Sequence, residues 1–148
     1  MTDDERDALH AVGIVRGRRW LYADDLLEES AVARRLVLAN AHRDRRLRMD
    51  RPGAPSVPAR RAAAEQYALV GYALLGRRAV RLDVAEQVTE LLGGQPKGPF
   101  ALPSEVPTLL ETDADAAETV VTALGYPRTA DGFVRKSRRR RSRRARRS

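Results

Sequence analysis

The chain has 148 residues, no cysteine and a formal net charge of +8, a length that suits one average domain or two very small ones. The missing cysteine excludes a disulfide framework, a thiolate zinc site, an iron–sulfur cluster and a cysteine nucleophile. No apolar run reaches the length of a membrane span, and the acidic N-terminus does not resemble a secretory signal. We therefore expect a protein of the cytoplasm.

The N-terminus predicts a short helix followed by a strand. Leu9 and Val12 are three residues apart and precede a glycine, which predicts a helix over residues 3–12. Residues 14–22 mix β-branched, aromatic and basic side chains around Gly17. This composition favours a short strand or a hairpin over a helix.

The next segment predicts the longest helix of the chain, over residues 24–44. Its apolar residues recur at helical spacing from Leu26 to Ala41. Asp24 and Asp25 stand at its start, where a carboxylate caps free N–H groups and complements the helix dipole.

A proline-rich segment follows this helix. Residues 49–58 contain three prolines, a glycine and a serine, which is typical of a linker or an ordered surface loop. The surrounding residues 34–61 hold nine arginines against two acidic residues. Two interpretations of this basic region remain open, namely a solvated helix end and loop or an edge that faces phosphates.

The middle of the chain predicts two further helices. Residues 62–67 have helical character, and residues 69–75 form an apolar stretch that contains Gly71 and precedes Gly76. Apolar residues at i, i+4, i+7 and i+8, counted from Val84, then predict an amphipathic helix over residues 82–92. The glycine pair that follows is expected to end this helix.

Two short helices are predicted in the C-terminal third. Ser104 is expected to cap the first of them, which runs to residue 111. Thr112 and Asp115 form a capping-box-like pair for the second helix, over residues 113–124, whose buried stripe is spaced i, i+3, i+4 and i+7.

Extended segments flank these two helices. Residues 99–102 are predicted to be a short extended piece, and the Asp131-Gly132 pair predicts a hairpin after the last helix. The order helix, strand, helix, helix, hairpin is typical of a winged helix-turn-helix. We therefore predict a mainly α fold, which is a small helical domain with short β elements, a C-terminal winged helix-turn-helix-like half and a disordered basic tail. Its predicted segments are 1–48 (helical with a short strand), 49–61 (a linker rich in proline and arginine), 62–135 (winged-helix-like) and 136–148 (the tail).

The tail accounts for the basic charge of the chain. Residues 135–148 hold ten of the 28 lysines and arginines and no acidic residue, which leaves 18 basic against 20 acidic side chains elsewhere. An arginine run repels itself and has nothing apolar to bury, so the tail is expected to be disordered.

Residues suited to catalysis are few. His10 and His42 are far apart, with no metal-ligand partner at helical spacing. The glycines of residues 93–98 lack the spacing and the Ser/Thr of a P-loop. Paired carboxylates stand at predicted helix starts, where the helix dipole explains them. We expect no catalytic residue, metal site or cofactor, and no enzyme activity from this chain alone.

The acidic helix 113–124 is a poor candidate for reading DNA. In a winged helix, the second helix of the turn motif enters the major groove. Here that helix carries Asp113, Asp115 and Glu118 and no lysine or arginine, so it would repel phosphates. Its acidic face suits a protein-interaction or scaffolding role instead.

The arginine-rich tail is the main candidate for contact with nucleic acid, because clustered cations release counterions from phosphates without reading sequence. The alternatives are a solubilising tail or a contact with anionic lipid. The tail has no apolar face, so we expect no membrane role. The candidate nucleic-acid-binding residues are Arg135, Lys136, Arg138, Arg139, Arg140, Arg141, Arg143, Arg144, Arg146 and Arg147, with a secondary patch of Arg43, Arg45, Arg46 and Arg48.

A second basic pattern lies in residues 16–22, where arginines alternate with aromatic residues as in proteins that bind single strands. Trp20 and Tyr22 are two residues apart, so on a strand they would face the same side. That spacing favours packing against the core over contact with bases.

One segment resembles a known family. Residues 71–86, GYALLGRRAVRLDVAE, resemble a G-(Y/F)-x-x-x-G-x-R-A-(V/L)-R-(V/L)-D-x-x-E segment near the C-terminus of mitochondrial-degradosome-type superfamily-two RNA helicases and their alphaproteobacterial relatives. Residues 98–100 and 123–126 resemble the part that follows, and residues 11–18 the part that precedes it. The similarity covers roughly residues 7–135.

The resemblance implies a separate C-terminal module, because the chain contains neither the P-loop nor the Walker-B motif of the helicase motor domains. Such a module would contact nucleic acid or a protein while another polypeptide hydrolyses ATP. No helicase catalytic residue is carried over. We predict a noncatalytic module that binds RNA or DNA. The alternatives are a scaffolding subunit that docks on a helicase motor or a larger assembly, and the separated end of an ATP-dependent helicase.

Overall fold

The computed structural model describes residues 2–41, 43, 46–60 and 64–136, which form a small α/β protein. The helices are α1 (Asp3–Ala11), α2 (Glu29–Asn40), α3 (Ala64–Leu69), α4 (Leu82–Gly93), α5 (Glu105–Leu110) and α6 (Ala114–Ala123), with a 3-10 turn at Asp24–Leu26. The strands are β1 (Val15–Arg16), β2 (Leu21–Tyr22), β3 (Ser56–Pro58), β4 (Tyr72–Leu75), β5 (Arg78–Arg81), β6 (Arg128–Thr129) and β7 (Gly132–Phe133). Within these ranges no helix is long and apolar enough to cross a membrane.

The central element is a three-stranded antiparallel sheet in the order β3-β5-β4. Successive side chains of a strand point to opposite faces, so β5 supplies both halves of the core. Ala79 faces one apolar cluster and Val80 faces the other, and both are fully buried.

Two apolar clusters cover the two faces of this sheet. The first contains residues of α4, α5, α6 and β7 together with Leu75, Val80, Phe100 and Tyr126. The second contains Val32, Ala39, Leu47, Met49, Ala54, Val57, Tyr67, Val70, Tyr72 and Ala79. The second cluster thus draws residues from all three segments predicted between residues 1 and 135.

The long N-terminal helix predicted over 24–44 is shorter than expected. Leu27 donates its N–H to the carbonyl of Asp24 in the 3-10 turn, and Glu28 is extended, so α2 starts only at Glu29. Asp24 therefore does not cap α2. The helix ends at Asn40 and is no longer than α4, since each contains 12 residues.

The described part of the segment predicted as a linker, residues 49–60, packs into the fold. Met49, Ala54 and Val57 are buried, and β3 pairs with β5 along its whole length. Pro58 fits because β3 is an edge strand, where a residue without an N–H is tolerated. Pro58 is exposed at that edge.

The β4–β5 hairpin is absent from the predicted elements. Its turn contains Gly76, which has a φ of +61°. A Cβ on Gly76 would lie 2.6 Å from the carbonyl oxygen of Thr119. The turn therefore rests directly on the backbone of α6.

The C-terminal elements follow the predicted order. After α4, Phe100 forms an isolated antiparallel bridge with Phe133 of β7, so the extended piece pairs with the hairpin that follows α6. The rings of Phe100 and Tyr126 meet edge to face with centroids 5.8 Å apart. These aromatic contacts close the end of the first cluster.

Both predicted cap assignments in this half are corrected. Ser104 occupies the N-cap position of α5, but its side chain makes no capping hydrogen bond. Asp113, not Thr112, caps α6, because its Oδ1 accepts the N–H of Ala116 at 2.8 Å.

Candidate nucleic-acid interface

The predicted tail leaves the folded body at an anchored point. Lys136 donates its N–H to the carbonyl of Gly125 at 2.9 Å, and Val134 donates to the carbonyl of Pro127 at 3.1 Å. The side chains of Arg135 and Lys136 are exposed. The other predicted tail contacts, Arg138 to Arg147, lie outside the described residues.

The secondary patch is built on an extended segment that alternates between core and solvent. Leu47 and Met49 are buried, whereas Arg46 and Arg48 are exposed. Asn40 fixes the segment, since its side-chain oxygen accepts the N–H of Leu47 and its amide group donates to the carbonyl of Leu47, both at 2.7 Å. We call Arg46 and Arg48 the arginine edge.

The other two members of the predicted patch do not add to this edge. Arg43 is exposed, but its guanidinium lies 3.6 Å from the carboxylate of Glu65. An exposed pair of this kind contributes little stability, yet it offsets the charge that Arg43 offers to a phosphate. Arg45 lies outside the described residues.

A second basic element is the β1–β2 hairpin, and a buried carboxylate holds its turn. Glu86 of α4 is 8% exposed. It accepts the N–H groups of Arg18 (2.8 Å), Arg19 (2.7 Å) and Trp20 (2.7 Å). Three charge-assisted bonds to one carboxylate fix the turn residues relative to α4.

Sequence reasoning did not identify Glu86 as a site residue. The apolar stripe of α4 contains Val84, Val88 and Leu92, and residue 86 falls on the opposite, polar side of the helix. Its burial comes from a hairpin more than 60 residues away in the chain. No local signal in the sequence carries that information.

The side chains of the hairpin separate into packed and exposed groups. Trp20 packs against the first apolar cluster, as predicted, and the guanidinium of Arg19 lies 5.9 Å from the centre of its ring. Arg18 and Arg19 are exposed. The guanidinium of Arg18 lies next to Gly93, where a Cβ would come within 2.5 Å of its Nη1.

A cleft of about 640 Å³ separates the hairpin from α4. Arginines line one wall, whereas Asp83, Glu86 and Glu90 contribute carboxylates from α4. Burial raises the pKa of Tyr22 in this cleft, and the carboxylates of Asp24 and of these three α4 residues raise it further. The α4 wall is thus unfavourable for an anion, and Arg18 lines the cleft beside it, whereas the exposed Arg19 is not part of the cleft lining.

Helix α6 is partly covered by a neighbouring turn. The β4–β5 turn covers its middle, where the hydroxyl of Thr119 accepts the N–H of Arg77 at 3.1 Å. Asp115 and Glu118 line the cleft beside this turn.

Two of the three carboxylates of this helix have contacts inside the protein. Asp113 caps the helix, and Glu118 lies 2.6 Å from Arg128 of β6. Asp115 is the exposed acidic residue that no described contact occupies.

The two arginines of β5 form hydrogen bonds within the folded protein. Arg78 donates to the hydroxyl and carbonyl oxygens of Ser56, and burial lowers its pKa. Arg81 forms a two-bond pair with Asp83, at 2.7 and 3.0 Å, which raises the pKa of Arg81. Neither guanidinium is presented at the surface as a phosphate contact.

Among the described residues, no group of three or more histidines and carboxylates is placed to hold a metal ion. No family model, curated protein or solved structure matches the chain.

Proposed function

We propose that this chain is a noncatalytic nucleic-acid-binding module that contacts backbone phosphates, of RNA or DNA, mainly through residues 135–148. The observation that carries the proposal is the separation of charge, since ten of the 28 basic residues lie in this stretch and no acidic residue does. The anchored exit at Lys136 supports it, because the cations start at a fixed point of the body.

Binding of this kind depends on counterion release. Each phosphate that a cation neutralises frees condensed ions, so affinity falls steeply as salt rises and sequence has little influence. The arginine edge adds a smaller contribution on the body. We expect no base readout by α6, since its carboxylates and the covering β4–β5 turn both oppose entry into a groove.

We also assign the C-terminal half to the winged helix-turn-helix type. The supporting features are the order α4, Phe100, α5, α6, β6, β7 and the bridge between Phe100 and Phe133. In this assignment the wing is the β6–β7 hairpin, from which the chain continues directly to Arg135 and Lys136. The tail would thus start beside the wing.

A second candidate function is docking onto a protein, such as the motor of the helicases whose C-terminal region the segment 71–86 resembles. Exposed Asp115 favours it, and the internal contacts of Asp113 and Glu118 weaken it. Asp115→Asn tests it without removing a cap or an ion pair. Loss of binding to a candidate motor with unchanged nucleic-acid affinity would support docking, and unchanged motor binding would count against this surface.

The tail is tested by length-matched variants of the full chain. In one, the eight arginines of residues 138–147 become glutamine, and in the other they become lysine. Binding to a random oligonucleotide is measured between low and physiological salt. We expect the glutamine variant to lose affinity and several units of the slope of log K against log salt, while the lysine variant keeps the slope. Equal slopes for all three proteins would refute the proposal.

The arginine edge is tested by the double change Arg46→Gln and Arg48→Gln. Its control is Arg34→Gln with Arg77→Gln, which removes the same charge from exposed positions of α2 and the β4–β5 turn. The edge variant should reduce the salt slope by about one to two, at one unit for each phosphate contact. If the salt slope falls no more in the edge variant than in the control, the arginine edge does not contact nucleic acid.

A further inference from the structure

We propose that the β1–β2 hairpin is a second phosphate-binding element, preorganised by Glu86, which acts as a positioning residue. This inference rests on the proposed function and adds to it an ordered element on the folded body. The phosphate contacts would be made by Arg18 and Arg19.

The geometry of the turn supports this role. Arg18, Arg19 and Trp20 each donate a backbone N–H to Glu86, and Gly17 donates its N–H to the carbonyl of Trp20 at 2.9 Å. The backbone that carries the two guanidiniums is therefore bonded at every residue of the turn. A fixed backbone reduces the conformational entropy that phosphate contacts would otherwise cost.

The directions of the side chains agree with this role. The Glu86 carboxylate is buried and satisfied by backbone N–H groups, so it is not left to pair with the side chains of Arg18 and Arg19. Both arginines remain exposed, with Arg19 over the Trp20 ring and Arg18 beside Gly93. An exposed guanidinium can offer a phosphate two parallel N–H groups.

Contact with phosphates is favoured over contact with bases. Trp20 packs on the first apolar cluster and lies under Arg19, so its ring is engaged within the protein. Stacking on a base would require Arg19 to leave the ring. The hairpin is therefore expected to bind the sugar–phosphate backbone without preference for a base.

Glu86→Gln is a useful test because the change in net charge and the loss of hydrogen bonds to the turn predict opposite changes in affinity for nucleic acid. Glu86→Gln removes one negative charge, so long-range attraction alone would strengthen binding to nucleic acid. The amide has one acceptor oxygen instead of two, and its NH₂ would face the N–H of Arg18. If the hydrogen bonds from the turn to Glu86 are needed for phosphate binding, Glu86→Gln weakens binding.

The experiment measures the affinity of full-length proteins for a random duplex as a function of salt. The variants are Glu86→Gln, the double change Arg18→Gln with Arg19→Gln, and the control Arg34→Gln with Arg77→Gln. We expect the hairpin double variant to reduce the salt slope by about one to two, and the control to reduce it less. Glu86→Gln should weaken binding although it removes a negative charge.

The outcomes separate this inference from the tail proposal. If the wild-type chain binds and the hairpin double variant has the same salt slope as the control, the hairpin inference is overturned and the tail proposal is not affected. Tighter binding by Glu86→Gln would overturn the positioning role. If the glutamine tail variant keeps the wild-type slope and that slope depends on Arg18 and Arg19, the hairpin is supported and the tail is not. No salt-dependent binding by the wild-type chain would refute both proposals.

Discussion

Gly17 and Glu86 fit so closely that a Cβ at residue 17 would lie 2.1 Å from Cδ of the glutamate. Gly17→Ala should destabilise the protein by about 1–3 kcal/mol, because the added methyl must displace a buried carboxylate from its three N–H partners. Urea unfolding measures the change.

The matched control for this substitution is Gly94→Ala. A Cβ there meets nothing closer than 3.6 Å, and Gly94 has a φ of −85° that alanine readily adopts. Its unfolding midpoint should stay near the wild-type value. Equal midpoints for the two variants would mean that the carboxylate is not fixed against the turn.

The N-cap residues of α5 and α6 are expected to behave differently. Asp113→Ala should cost about 1 kcal/mol, since it removes the acceptor for the N–H of Ala116. Ser104→Ala should change the free energy of unfolding by less than about 0.5 kcal/mol, because its hydroxyl caps nothing. Thermal or urea unfolding of the pair provides the measurement, and a larger cost for Ser104 would contradict the cap assignment.

Asn40 is expected to control the order of the arginine edge. Asn40→Ala leaves the N–H and carbonyl of buried Leu47 without their partner, which should cost about 1–3 kcal/mol. Hydrogen exchange at the Leu47 amide should accelerate in the native state. Gln95→Ala is the control, since its side chain makes one long bond of 3.3 Å at the end of α4. Unchanged exchange at Leu47 would contradict the role of Asn40.

Tyr72 predicts a loss of stability at high pH. Burial raises its pKa from 10.0 to about 12, and its hydroxyl donates to the carbonyl of Ala54 at 2.6 Å. The unfolded chain releases the phenolic proton near pH 10 while the folded protein keeps it. The stabilisation is therefore fully present below pH 10 and is lost as the pH rises toward 12.

Tyr72→Phe isolates this effect. The stability difference between wild type and the variant should shrink as the pH rises from 10 to 12, and ultraviolet titration of the folded variant should lack the latest-ionising tyrosine. A difference that stays constant over this range would contradict a buried, protonated Tyr72.

Local signals in the sequence predicted a large part of the fold. The helix α1, the extended pair around Gly17, the helix α4 and the order of the C-terminal elements all carry strong periodicity or turn residues within a short window. The core packing of Trp20 was likewise predicted from its spacing to Tyr22 and is confirmed.

The elements that were missed depend on distant parts of the chain. β3 contains Pro58 and is a strand because it pairs with β5 at the edge of the sheet, and the turn of the β4–β5 hairpin packs on α6. The burial of Glu86 likewise comes from the β1–β2 hairpin. For the candidate site, the exposure of Arg46 and Arg48 follows from Leu47 and Met49 joining the second cluster, which the arginine content alone does not indicate.

The sharing of β5 between two clusters has a practical consequence for dissecting the protein. A fragment beginning at residue 62 would lack β3, so one edge of β5 would be unpaired and Tyr72 and Ala79 would lose the apolar side chains of Met49, Ala54 and Val57. Unpaired strand edges beside exposed apolar surface promote aggregation. Truncations that map nucleic-acid binding are therefore best confined to residues after 136, where the body of the fold remains whole.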